Sequence, residues 1–156
     1  MYWFLIKAAH VLFAMLYLGT GLGSAYYKLR AYRSGDANVM AWCDREIVLA
    51  DWIFTVSSGV VMPVTGGTMV WMLRLPFSTS WVVAAFALYG VAGVLWIGAA
   101  ALQVRMRRLS GEAASRGEKV GPEYERAQRL WMLLGVPAFV AAMATVVLMV
   151  RKPMLW

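Results

Sequence analysis

Four long runs of apolar residues dominate the chain, and polar stretches separate them. The runs cover about residues 2–25, 47–73, 80–104 and 130–150. An α-helix needs about 20 mainly apolar residues to cross the hydrocarbon core of a bilayer, so each run predicts a transmembrane helix. We therefore expect an all-α, membrane-embedded four-helix bundle that forms one integral domain over residues 1–156.

The polar stretches contain signals for helix ends. The Ser-Gly-Asp sequence at 34–36 predicts a turn, with the second helix beginning near Asp36. Ser80 is a candidate N-cap for the third span, and a Gly-Pro pair at 121–122 predicts a helix start after the longest polar stretch, 105–129. The first run resembles a signal peptide, but no basic residue precedes it, which favours a retained span.

The second run is irregular. Pro63 lies in its middle, and a proline inside a helix removes a backbone donor and predicts a kink. Hydroxyl groups and glycines beside it can satisfy the freed carbonyls, and they leave room for a flat cofactor or a second helix. At the entrance of the run, the Asp-Arg-Glu sequence at 44–46 predicts a solvated turn. For Asp51, one turn deeper, we predict an interfacial ion pair with an arginine. The alternative is a role in a proton relay.

Composition and charge support this interpretation. Of the residues, 62% are hydrophobic and 15% charged, which is more apolar surface than a soluble domain of 156 residues can bury. Most basic residues lie in two polar stretches: Lys28, Arg30, Arg33 and Arg45, then Arg105, Arg107, Arg108, Arg116, Lys119, Arg126 and Arg129. This positive-inside pattern predicts cytoplasmic basic loops and two outer termini. The same distribution accounts for the net charge of +7. We therefore expect the lipid bilayer as the partner, and no nucleic acid.

Small residues and one lysine predict how the helices are placed. Gly19 and Gly23 have the spacing that allows transmembrane helices to approach closely, which predicts a packing face. Gly90, Gly93 and Gly98, with the many alanines of the third span, predict a closely packed helix rather than one that bears a ligand. Lys28, next to two tyrosines, predicts an anchor at the cytoplasmic interface.

The candidate chemistry lies in the first run, which holds the only histidine, His10, three residues after Lys7. That spacing places both side chains on one helix face, and an ionisable group at membrane depth usually faces the bundle interior. Imidazole is a frequent protein ligand to haem iron, so one haem b could have His10 on one side. The other side would have Lys152, Lys7, a methionine or no protein ligand. Two chains could instead share one haem through two copies of His10.

Other roles for His10 stay open on the residues alone. A buried neutral histidine can hydrogen-bond a neighbouring helix without further function, and proton transfer or quinone binding is a third use. A bis-histidine haem within one chain is excluded, because it needs a second histidine. The lack of a second histidine, together with the lack of an inward carboxylate pair, argues against a zinc or iron catalytic centre.

Both ends of the chain carry a family resemblance. Residues 2–12 read Tyr-Trp-Phe-Leu-Ile-Lys-Ala-Ala-His-Val-Leu, and residues 150–153 read Val-Arg-Lys-Pro after an apolar run. These ends resemble the HemJ-type bacterial membrane protoporphyrinogen oxidase family. The resemblance implies a multi-pass protein of the bacterial plasma membrane with haem b, His10 as its ligand and an important Lys152. The chain is nearer to a sister group of small bacterial integral membrane proteins of unknown function, which share the first-helix histidine and the Ser-Gly-Asp turn.

Two functions follow as hypotheses. The first is a haem-b-binding membrane protein that acts in electron transfer or porphyrinogen oxidation, with His10 as axial ligand. The alternative is a non-catalytic accessory subunit that packs through its glycine faces in a larger membrane complex or a homo-oligomer.

Overall fold

The chain folds into α-helices joined by short turns, as a computed structural model of residues 2–156 describes. The helices are α1 (Tyr2–Ser34), α2 (Ala37–Ala50), α3 (Val56–Met72), α4 (Ser80–Arg116) and α5 (Pro122–Arg151). A π-helical turn, Asp51–Thr55, joins α2 to α3 without a break. Within the described residues, four segments are long and apolar enough to cross a membrane: α1, the joined α2 and α3, α4, and α5. The predicted all-α membrane bundle is confirmed.

The four segments run alternately up and down. The turns at 35–36 and 117–121 lie at one end of the bundle, which we call the basic end because most lysines and arginines surround it. The turn at 73–79 lies at the other end, called the terminal end, together with residues 2 and 156. Adjacent segments are therefore antiparallel neighbours, as short connections require.

The helices are longer than the apolar runs. α4 has 37 residues and is therefore about 55 Å long, well beyond the ~30 Å of a hydrocarbon core. The polar stretch at 105–129 is almost entirely helical, with a turn only at 117–121. The excess length of α1 and α4 lies at the basic end, where the bundle projects past its apolar zone.

Two of the three predicted helix ends are confirmed. Asp36 caps α2, because its carboxylate accepts the backbone N–H of Asn38 at 2.8 Å, after Gly35 with a left-handed φ of 68°. α5 begins at Pro122, directly after a glycine N-cap. The expectation for Ser80 was wrong, since Thr79 is the N-cap of α4. The Ser80 hydroxyl instead accepts the backbone N–H of Leu155 at 2.9 Å and holds the chain's last residues against α4.

The most extensively packed helix pair is α4 with α5. Buried residues of α4 recur every seven positions: Ala85, Ala92, Ala99, Met106 and Ala113. A seven-residue repeat keeps one helix face against its partner over many turns, and alanine at that face allows close approach. A Cβ atom added to Gly98 would lie 3.0 Å from Leu134 Cδ1, whereas one added to Gly90 or Gly93 would meet nothing within 4 Å. The close packing predicted for the third span therefore occurs at Gly98 and not at the other two glycines.

The packing predicted for Gly19 and Gly23 does not occur within residues 2–156. A Cβ atom added to either glycine would meet nothing within 4 Å. The buried residues of α1 are His10, Ser24, Lys28 and Ala31. Large apolar side chains are likewise exposed on the other helices, as with Val94 at 71% and Val140 at 60%. An apolar exterior of this extent suits contact with lipid and is unfavourable in water.

Candidate functional site

His10 is one of the few buried residues of α1. Its Nδ1 atom lies 2.8 Å from Oγ1 of Thr65 on α3. Gly66 follows directly, and a Cβ atom there would lie 3.3 Å from His10 Cε1. α3 therefore fits the imidazole because it offers a hydroxyl and, beside it, a residue without a side chain.

The hydrogen bonds of Thr65 assign the tautomer of His10. A hydroxyl group has one hydrogen, and Thr65 lies 2.7 Å from the Val61 carbonyl oxygen and 3.1 Å from that of Met62, where it donates. Its oxygen is then the acceptor toward His10, so Nδ1 carries the proton. Nε2 keeps its lone pair, which makes it a metal ligand, a base or a hydrogen-bond acceptor.

Neither of the two lysines named with His10 is among its hydrogen-bond partners in residues 2–156. Lys7 is exposed on α1. Lys152 ends α5 with a left-handed φ of 47°, and its Nζ atom lies 5.6 Å from the ring centre of Trp81. The histidine is thus brought together with Thr65 and Gly66, which sequence reasoning had placed only in a polar region around a proline. The roles of Lys7 and Lys152 toward a cofactor stay predictions.

Metal ligands are sparse around the histidine. In residues 2–156, no three His, Cys, Asp or Glu side chains lie close enough together to hold a metal ion. A metal bound through His10 would have to bring most of its own ligands. Iron in a porphyrin does so, since the macrocycle supplies four nitrogens. His10 would supply one ligand to such an iron through Nε2.

A second polar group lies at the basic end, and sequence reasoning missed it. Lys28 and Asp44 form an ion pair, and each side chain is only 1% exposed. Ser110 of α4 donates its hydroxyl to Asp44 Oδ2 at 2.9 Å. The Lys28 ammonium group also lies 5.5 Å from the Tyr124 ring centre and 5.6 Å from that of Trp131. Four membrane segments therefore meet at this cluster.

The expectations for Lys28 and Asp44 were wrong. Lys28 is not an interfacial anchor and Asp44 is not in a solvated turn, because both side chains point into the core. Spacing was the missed signal: Asp44 follows the buried Met40 by four residues and precedes the buried Ile47 by three. That spacing is the inward face of a helix.

A third polar group surrounds Asp51 in the π-helical turn. Asp51 is 7% exposed, and its Oδ1 atom accepts the hydroxyl of Thr55 at 2.7 Å. Its Oδ2 atom has no hydrogen-bond partner in the described chain. The predicted ion pair with an arginine is therefore wrong. Asp51 and Thr55 instead line a cavity of about 290 Å³ between α1, α4 and α5.

The comparisons with known proteins give one positive result. A model of the family described as "Predicted integral membrane protein (DUF2269)" matches residues 4–153. No curated protein and no solved structure matches the chain. The match covers nearly the whole sequence and agrees with the four membrane-spanning segments of the structure. The chain therefore belongs to this family of predicted integral membrane proteins, DUF2269.

Proposed function

We propose that the protein is a haem-b-binding, redox-active integral membrane protein in which Nε2 of His10 is an axial ligand to the iron. The observation that carries the proposal is the hydrogen bond between His10 Nδ1 and Thr65. It directs the proton to Nδ1 and leaves the lone pair on Nε2, as in many metal-binding histidines. The resemblance of both chain ends to the HemJ-type family supports it further.

The residues around His10 have separate tasks in this proposal. Thr65 accepts a hydrogen bond from Nδ1–H and so fixes the orientation of the ring, and Gly66 leaves space for the edge of the imidazole. Haem, when bound, supplies one-electron transfer, which serves either an electron-transfer role or the oxidation of a porphyrinogen. Lys152 and Lys7 are the proposed candidates for the opposite axial position or for contacts with the cofactor.

An absorption spectrum tests the proposal. The protein is produced with added haem precursor, purified in detergent and recorded oxidised and after dithionite, beside His10→Ala and Leu12→Ala. Leu12 lies on the same helix and is 60% exposed, so its variant controls for general damage to α1. We expect a Soret band and sharp reduced α and β bands in the wild type and in Leu12→Ala. The same bands in His10→Ala, or a colourless wild type, would contradict the proposal.

An accessory role is the second candidate, and the free faces of Gly19 and Gly23 favour it. Both glycines have open space beside them, so another helix can approach α1 there. A partner subunit would co-purify with the wild type and with His10→Ala. The partner would be lost from a Gly19→Leu, Gly23→Leu double variant. Haem binding through His10 predicts instead that haem is lost from His10→Ala and kept in the double variant.

The proposed location is the bacterial plasma membrane, with both termini on the outer side. The support is the concentration of lysines and arginines at the basic end. Reporter fusions test it: a phosphatase that is active only outside should be active after residue 156 and inactive in the turn at 117–121. The reverse result would invert the topology.

A further inference from the structure

The cavity beside Asp51 combines a carboxylate with aromatic walls. Tyr17 from α1, Trp96 from α4 and Trp131 from α5 line it together with Asp51 and Thr55. Its volume of about 290 Å³ is just below the range for small-molecule sites, roughly 300–1,000 Å³. Most of the remaining lining is apolar, so the cavity resembles a small ligand site with one charged group.

A comparison of two aspartates on the same membrane segment shows that this cavity lacks a cation. Asp44 and Asp51 are seven residues apart, and both are more than nine-tenths buried. Asp44 has the ammonium group of Lys28 on one oxygen and the hydroxyl of Ser110 on the other. Asp51 has the Thr55 hydroxyl on Oδ1 and the Gln103 side-chain amide beside the carboxylate, and its Oδ2 atom makes no hydrogen bond in residues 2–156. A buried carboxylate that stays ionised needs a compensating cation, and the described chain supplies one only to Asp44.

The aromatic rings favour a cation as that partner. A cation near the face of a tryptophan or tyrosine is attracted to the negative π-surface, and more strongly when water is excluded. Trp131 already has the ammonium group of Lys28 at 5.6 Å from its ring centre. The same residue lines the cavity, so its indole already has one cation as a neighbour.

The cavity is accessible from the lipid side. Leu22 on α1 and Met132, Val136 and Val140 on α5 line it and are also 40–60% exposed. α1 and α5 have few contacts with each other, so these residues form the rim of an opening between the two helices. A ligand that enters here has to be soluble in the membrane.

We propose that this cavity binds a lipophilic organic ammonium cation, with its charge against Asp51 Oδ2 and its apolar part between Tyr17, Trp96 and Trp131. Thr55 holds the other carboxylate oxygen and so orients the group. The π-helical turn contributes by placing Asp51 and Thr55 on the same inner surface, and such turns are frequent at functional sites. The site does not involve His10 and does not depend on haem.

Binding of benzyltrimethylammonium tests the proposal. Equilibrium dialysis of the purified protein in a maltoside detergent compares this cation with neopentylbenzene, its neutral counterpart of the same shape, after subtracting partitioning into empty micelles. Asp51→Asn keeps the size of the side chain and removes its charge. Asp36→Asn is the matched control, because asparagine also caps a helix and Asp36 is exposed.

We expect saturable cation binding to the wild type and to Asp36→Asn, at least roughly 10-fold weaker in Asp51→Asn. Neopentylbenzene should bind the wild type more weakly than the cation does. No cation binding by the wild type, equal binding by Asp51→Asn, or preference for the neutral compound would each overturn the proposal. If Asp51→Asn fails to fold, the comparison of the two compounds on the wild type decides.

The ammonium group could belong to a free amphiphile or to a lipid headgroup. Nanodiscs made of phosphatidylglycerol alone contain no ammonium lipid, whereas those with added phosphatidylethanolamine do. Weaker apparent binding of benzyltrimethylammonium in the second kind would identify the lipid as the natural source. Equal binding in both kinds would identify a free cation.

Discussion

Tyr89 of α4 donates its phenolic hydroxyl to the backbone carbonyl oxygen of Gly59 on α3, at 2.8 Å. Gly59 lies four residues before Pro63, and a proline has no N–H to donate to the carbonyl four positions earlier. The carbonyl that Pro63 leaves free is therefore satisfied by another helix. In a membrane, where no water can take this place, such a bond also fixes the distance between α3 and α4.

Removal of that hydroxyl should destabilise the bundle. We expect Tyr89→Phe to lower the free energy of unfolding by about 0.5–2 kcal/mol, the range of interhelical hydrogen bonds in membranes. Unfolding in mixed maltoside and dodecyl sulfate micelles measures it. In a Pro63→Ala background the alanine N–H can bond Gly59, so Tyr89→Phe should then cost less. An equal cost in both backgrounds would show that the hydroxyl does not replace the missing donor.

The buried ion pair predicts a strongly non-additive response. Lys28→Met alone leaves the Asp44 carboxylate buried without a cation and should cost about 3–5 kcal/mol. The double variant Lys28→Met, Asp44→Leu should recover most of that loss, because no uncompensated charge remains. Arg45→Ala is the control: its ion pair with Glu46 is exposed, and the change should be below about 1 kcal/mol. Additive effects of Lys28→Met and Asp44→Leu in the same unfolding assay would disprove the coupling.

Gly66 should be required for the position of the imidazole. A Cβ atom at this residue would lie 3.3 Å from His10 Cε1, so Gly66→Ala has to displace the ring and strain its bond to Thr65. Gly67→Ala, one residue later, meets open space and should be neutral or stabilising by up to ~1 kcal/mol. The NMR chemical shifts of the imidazole, with His10 as the single labelled histidine, measure this displacement. Unchanged imidazole shifts in Gly66→Ala would contradict the close contact.

Thr65 should control haem affinity if the proposed function is right. Thr65→Val keeps the shape of the side chain and removes the acceptor for the Nδ1 proton, which should weaken haem binding about 10- to 100-fold. Thr65→Ser keeps the hydroxyl and should bind nearly as the wild type does. The measurement is the amount of haem bound per protein, determined as the pyridine complex at each point of a haem titration. Equal affinities of the valine and serine variants would remove Thr65 from the site.

The order of apolar and polar residues was sufficient to predict the architecture. Four runs of about 20 or more apolar residues have no stable arrangement in water, and only helices satisfy their backbone groups in lipid. The turn at 34–36 and the helix start at Pro122 were predictable too, because caps depend on local residues. His10 was identified as the main candidate because it is the only histidine and lies at membrane depth.

Only the tertiary structure decided which polar residues meet. Lys28 and Asp44 lie outside the most apolar stretches, and whether they face lipid headgroups or each other depends on how α1 and α2 are rotated about their axes. The partners of His10 and Tyr89 lie 55 and 30 residues away, at distances that no local pattern encodes. The open Oδ2 atom of Asp51 was equally unpredictable, because a cavity exists only where several helices fail to fill the space between them.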